Sequence, residues 1–326
     1  MNKVLVMGGT EFISRAILLE LIKKGYEVDF VTRGQREIDF DGYHKHLIAD
    51  RKNKEQMKAI FKNKNYDYIF DVSAYTKEDV EILVDSLDTS SLKRYIFVSS
   101  GAVYKPTTEL MKESDERGRN ENWKEYGFNK KLAEDYLMNL YKETAFPYVT
   151  FRPSYIYGEG NNLKRESFLF SRAVKSLPIV IPVSGEAKVQ FIHIKDVVQI
   201  LLESMDNKLV VGEAFNLTDA EQVDWLTLVQ TINEVAGTKV PVSGITEKGM
   251  SELNVTVGEF FPFRDITYVM DNSKLLEYGL PLPKILLKEG LEKAYKWCEE
   301  SGIFDQYEES ETYKKVLAFS QEISSK

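Results

Sequence analysis

The chain has 326 residues, with 43 basic against 51 acidic side chains for a net charge of -8, and is 43% apolar and 29% charged. Those proportions belong to a globular protein with a sizeable core, in one large domain or two small ones, and the acidic balance argues against a general polyanion-binding surface. A lone cysteine, Cys298, excludes an intrachain disulfide and points to a cytoplasmic setting. The opening "MNKVLVMGG" enters a strand at once, and no apolar run approaches ~18 residues, so neither secretion nor membrane association is expected.

In chain order, "KVLVM" (3–7), "EVDFVT" (27–32), "HLIA" (46–49), "DYIFD" (67–71), "RYIFVSS" (94–100) and "YVTFRP" (148–153) read as strands apolar on both faces. Between them lie helical patterns: "EFISRAILLELIKKG", "KEQMKAIFKN", "KEDVEILVDSL" and "NWKEYGFNKKLAEDYLMNLYKE". Phe12, Ala16, Ile17 and Leu21 form one stripe of the first, which stops at Gly25. This alternation predicts an α/β fold, a doubly wound parallel sheet with a smaller, discontinuous C-terminal lobe. The expected dinucleotide-binding domain covers 1–160 with 187–218, and the substrate lobe 161–186 with 219–300. "VQFIHIKDVVQILLESM" and "EAFNL" read as returns to the main sheet and its flank. Helices are expected at 225–236 and 285–299, and the 301–326 tail as a peripheral helix or a frayed end.

The segment "VLVMGGTEFIS" (4–14) is a strand, a glycine turn and a helix start. In a dinucleotide loop the first glycine makes the turn, the second admits the pyrophosphate and the third permits close helix packing. Gly8 and Gly9 are present, but the second role falls on Glu11 and the third on Ser14. A carboxylate there repels pyrophosphate unless it turns outward, so the loop alone does not separate a cofactor seat from an ordinary connection. Two further stretches add to it. "YGFNK" sets Tyr126 and Lys130 on one helical face, and "FVSSGAVY" puts Ser99 and Ser100 at the end of the fifth strand, where ligands of open parallel sheets sit.

In this order, "GGTEFIS", "SSGAVY", "YGFNK", "RPSYIYGEG" and "FIHIKDV" resemble the extended short-chain dehydrogenase/reductase family, the NAD(P)-dependent epimerase/dehydratase group acting largely on nucleotide sugars. The resemblance runs from residue 1 to about 295. It implies that Tyr126 is the general acid/base, that Lys130 favours its phenolate and holds the nicotinamide ribose, and that Ser100 positions the substrate, four residues before Tyr104. It further implies cofactor contacts from Gly8, Gly9, Thr10, Glu11, Phe12 and Ile13 at the pyrophosphate, and from Asp50 and Arg51 at the adenine. Ser73, Ala74, Tyr75 and Ser99 would run beneath the cofactor, and Pro153, Ser154 and Tyr155 would border the nicotinamide. His193 and Asp196 read as structural, and His44 and His46, with no ligand cluster nearby, as non-metal.

The second strand ends in Thr32 and Arg33 rather than the acid that binds NAD ribose hydroxyls, which leans towards NADP over NAD. After Ser100 stand Gly101 and Ala102, where the family's 4,6-dehydratases carry an Asp-Glu pair. Without an acid and a base elimination is disfavoured, leaving epimerase or keto-reductase. Tyr104, Asn161, Lys164, Arg165 and Arg264 are candidate substrate contacts, and a homodimer acting on a nucleotide sugar is expected. "GGTEFIS", "VTRG" and "DVSAY" also resemble the branch that includes chloroplast stem-loop RNA-binding proteins. The alternative is therefore an RNA-associated or regulatory binding protein on this scaffold. The net charge and the Ser100–Tyr126–Lys130 set count against nucleic acid.

Overall fold

A computed structural model describes residues 2–183 and 187–324. Residues 184–186, within the expected proline- and glycine-broken segment, and 325–326 of the tail lie outside the described residues. In chain order the elements are β1 (Lys3–Met7), α1 (Phe12–Lys23), β2 (Glu27–Thr32), β3 (Lys45–Ile48), α2 (Lys54–Phe61), β4 (Tyr68–Asp71), α3 (Lys77–Ser86), β5 (Arg94–Val98), α4 (Lys124–Thr144) and β6 (Tyr148–Pro153). Then come β7 (Tyr155–Tyr157), α5 (Glu166–Val174), β8 (Ile179–Pro182), β9 (Phe191–His193), α6 (Ile194–Glu203) and β10 (Ala214–Leu217). The chain continues with α7 (Trp225–Val235), β11 (Val242–Ile245), α8 (Glu247–Leu253), α9 (Ser273–Glu277), α10 (Leu287–Glu300) and α11 (Glu311–Ser324).

The chain forms two compact units. The first comprises Met1–Ser154, Ile194–Thr218 and Met270–Pro283. Its sheet has seven strands in the order β10-β6-β5-β4-β1-β2-β3, every neighbouring pair parallel. Parallel strands need both faces covered, and β1 shows how the sequence does it. Leu5 and Met7 join the core with Phe97, Ala133 and Leu137, while the alternate residues Val4 and Val6 are buried as completely as Ile17 and Leu18 of α1. Each such side chain contributes roughly 1.5–3 kcal/mol when fully buried. Local signals place the helices. Asn53 caps α2 through the Gln56 N–H, and Thr76 with Asp79 forms a reciprocal capping box on α3. Strand order reverses between β1 and β4, and the crevice beyond their carboxyl ends is where such sheets receive ligands.

The second unit comprises Tyr155–His193, Asp219–Val269 and Lys284–Lys326. It holds two two-stranded parallel sheets, β8 with β11 and β7 with β9. The strand of "VQFIHIKDVV" does not return to the main sheet as expected. β9 is three residues long and pairs with β7, and only the helix that follows, α6, flanks the large sheet, against α1. A run this short and apolar on both faces fits either sheet equally. The tail is anchored rather than frayed. The buried Arg172 guanidinium donates to the Pro178 carbonyl at 2.6 and 2.9 Å, lies 3.6 Å from the Tyr313 ring centre, and pairs with Glu309 at 2.7 Å. Tyr313 in turn accepts the Val180 N–H at 2.8 Å.

Candidate active site

At the end of β1, Gly8 and Gly9 have φ of +107° and +134°, values a side chain rarely adopts. A Cβ on Gly8 would lie 2.7 Å from Ser14 Oγ. That hydroxyl accepts the Gly9 N–H and donates to the Glu11 carbonyl, both at 2.9 Å, so it closes the turn that a third glycine would leave open. Glu11 is the N-cap residue of α1, yet its side chain makes no capping hydrogen bond. Its carboxylate instead meets Arg36 Nη2 at 2.6 Å. Arg36 lies outside every motif of the sequence. Its signal was the anion itself, since a carboxylate in such a turn calls for a cation within reach.

At the end of β2, Thr32 Oγ1 accepts the Gly34 N–H and lies 2.7 Å from His46 Nε2, while Arg33 is exposed. His46 stacks on Phe30 at 4.4 Å, and burial lowers its pKa, so it is neutral near pH 7. Asp50 is exposed and accepts the Lys52 N–H at 3.0 Å. Its neighbour Arg51 turns inward. Two nitrogens fork onto the Asp71 carboxylate at 2.7 and 3.0 Å and reach Ser73 Oγ and the Asp79 carbonyl. Burial alone would raise Asp71, but the Arg51 guanidinium and the Tyr95 hydroxyl hold it below the usual carboxylate range.

Ser100 is the N-cap of a 3-10 turn, Gly101–Val103, and its hydroxyl accepts the Ala102 N–H at 3.1 Å. The first turn of α4 docks against that turn. A Cβ on Gly127 would fall 2.0 Å from the Ala102 carbonyl oxygen, so only glycine lets the residue after Tyr126 approach the residue two beyond Ser100. Lys130, one turn further, is 3% exposed and donates to the Val98 carbonyl at 2.7 Å. Its ammonium sits 5.0 Å from the Phe97 ring centre and 5.5 Å from that of Tyr75. Burial brings Lys130 down to about 8, against the raising pull of Asp71. Tyr126 is 39% exposed, its ring 6.0 Å from that of Tyr75. Tyr75 thus touches both members of the Tyr-Lys pair.

Several other candidate residues have internal partners. The Tyr104 hydroxyl is buried, donating to Asn216 at 2.6 Å and accepting from Arg152 at 2.8 Å. In the second unit, Asn161 is buried with its amide on Glu166 at 2.8 Å and its oxygen on the Leu163 N–H. Arg165 lies 4.9 Å from the ring centre of the buried Tyr155, and Arg264 is exposed. At the end of β6 the Ser154 N–H bonds to the Leu217 carbonyl. The hydroxyls of Ser154 and of Ser99, at the end of β5, are buried with no partner among the described residues.

A seven-stranded parallel sheet in this order, with a glycine turn after its first strand, defines a dinucleotide-fold α/β protein. Residues 4–218 match the model of the NAD dependent epimerase/dehydratase family, and the chain belongs to that family. Among its relatives is the chloroplast stem-loop binding protein of 41 kDa b of Arabidopsis thaliana, 27% identical, with 97% of this chain and 84% of that protein covered. Human dTDP-D-glucose 4,6-dehydratase is 23% identical, covering 92% of this chain and 91% of its own. Among solved structures, UDP-glucose 4-epimerase of Thermotoga maritima, with UDP-glucose, superposes with a TM-score of 0.77 at 20% identity, over 92% of this chain and 99% of that one.

Proposed function

We propose that this chain is an NAD(P)-dependent enzyme that epimerises or reduces a nucleotide sugar, with Tyr126 as general acid/base, Lys130 as its cationic partner and Ser100 as the group that positions the sugar. One observation supports the reading: Gly127, between the exposed Tyr126 and the buried Lys130 on α4, packs against Ala102, two residues beyond Ser100. A phenol with pKa ~10 is a poor base, and a neighbouring ammonium favours its phenolate. Tyr126 then takes or returns the proton of a sugar hydroxyl while Ser100 orients that hydroxyl.

The residues fit a dinucleotide. Gly8 and Gly9 leave the turn without side chains, and the amides at the start of α1 have no capping group from Glu11. The buried hydroxyls of Ser99 and Ser154 are polar groups in want of a partner. When bound, the nicotinamide supplies hydride chemistry that no side chain here can. Thr32 and the exposed Arg33 at the end of β2, with no carboxylate there, support NADP ahead of NAD. Gly101 and Ala102 supply neither acid nor base, which argues against elimination, although dehydratases are among the relatives. Arg165 and Arg264 remain substrate candidates, and the working assembly on this reading is a homodimer.

Mass spectrometry of whatever co-purifies with the denatured protein tests the reading. Retained NAD(H) indicates epimerisation, and NADPH consumption on keto-sugars without retained cofactor indicates reduction. The likeness to the Arabidopsis stem-loop binding protein over nearly the whole chain supports a second reading, RNA binding on the same scaffold. Binding to stem-loop RNA that weakens steeply with salt, in a protein without turnover, would favour it.

A further inference from the structure

The first unit contains a recess that shares no residue with the Ser100–Tyr126–Lys130 group. It has a volume of 580 Å³ and is lined by alternate residues of β6 and one face of α4, together with the loop before α4, the start of β10 and α9. The face of a parallel sheet is normally sealed by apolar side chains. Here four cationic and four acidic side chains surround the space.

Some of those charges satisfy one another. Glu134 receives Arg117 at 2.8 Å and Arg152 at 2.7 Å and is closed. Three groups are left with capacity. Thr150 is 1% exposed, and its hydroxyl has no partner, a costly state for a buried polar atom. Lys274 donates to Glu213 at 2.7 Å and to the Ala214 carbonyl at 3.0 Å, which leaves the third hydrogen of its ammonium. Glu113 accepts the Asn216 N–H at 2.8 Å on one oxygen, which leaves the other oxygen of its carboxylate, and burial raises its carboxyl against the pull of that hydrogen bond and, after it, of Lys274 and Arg152.

We propose that this recess binds a small zwitterion of the α-amino acid class, its ammonium beside Glu113 and its carboxylate on Lys274 and the Thr150 hydroxyl. Balanced lining charge disfavours a nucleotide or other polyanion, which would meet four carboxylates. An apolar ligand would leave the Thr150 hydroxyl without a partner and the second Glu113 oxygen unused.

Titration calorimetry of the full chain against single amino acids tests this, with glycerol, a neutral monosaccharide and sodium acetate as controls. At least one amino acid is expected to bind with one-to-one stoichiometry and the controls are not. Thr150→Val and Glu113→Gln should each weaken that binding about tenfold, as loss of one hydrogen bond to a charged group does. Because Thr150→Val removes an unpartnered hydroxyl, the unliganded protein should melt no lower than the parent, and that variant decides the matter if Glu113→Gln misfolds. The proposal fails if no amino acid binds, if both folded variants bind as well as the parent, or if the neutral controls bind equally.

Discussion

The carboxylate of Glu11, the N-cap residue of α1, lies 2.6 Å from the guanidinium of Arg36. On the proposed function, that pairing draws an anion away from the turn assigned to the pyrophosphate. Both side chains are more than a third exposed, so the effect is that of a solvent-screened pair. Arg36→Ala should weaken dinucleotide binding about two- to fivefold, more at low salt than at high. Adding Glu11→Gln should restore most of the loss. Quenching of protein fluorescence by NADH or NADPH at two ionic strengths measures both variants.

Gly127 has no room for a methyl group against the Ala102 carbonyl. Gly127→Ala should cost about 1–3 kcal/mol through overpacking, even though alanine is the better helix former. Gly258, whose added Cβ would meet nothing within 4 Å, is the control and should tolerate alanine. Urea denaturation of the two variants gives the comparison.

Lys130 titrates near 8 in the folded chain, below the ordinary 10.5. Between those values the unfolded chain binds the proton that the folded chain has released, so this group's contribution to stability grows as pH rises through that window. Below 8 a buried ammonium opposes folding. Lys130→Met should therefore stabilise the protein at pH 7, and its advantage should shrink from pH 8 to 10. If the ammonium is the working form, turnover of the parent should fall as pH rises through about 8. Denaturation and rate profiles over pH 6–10 check both.

Arg51 and Asp71 form a buried fork. Arg51→Met strands the Asp71 carboxylate and should cost about 3–5 kcal/mol. Arg51→Met with Asp71→Asn should recover a large part of it, as denaturant midpoints will show.

Much of the first unit was legible because buried parallel strands are short apolar runs between polar turns. The third expected strand, 46–49, falls one residue from β3, Lys45–Ile48. What stayed hidden depends on partners distant in the chain. Arg51 follows Asp50 and reads like an adenine contact, yet its partner Asp71 lies twenty residues on. Tyr104 reads as a substrate contact until Asn216, far along the chain, is seen to hold its hydroxyl. The tail's amphipathic pattern gave a helix but could not say that Tyr313 would bury itself against Arg172.

The proposed function requires Tyr126 and Lys130 to work as a pair, and Tyr126→Phe tests that most directly. Turnover and dinucleotide affinity should be measured together on the folded variant. Loss of turnover by two or more orders of magnitude, with affinity for the dinucleotide unchanged, is the expected result. Turnover that survives the loss of that single hydroxyl would contradict it.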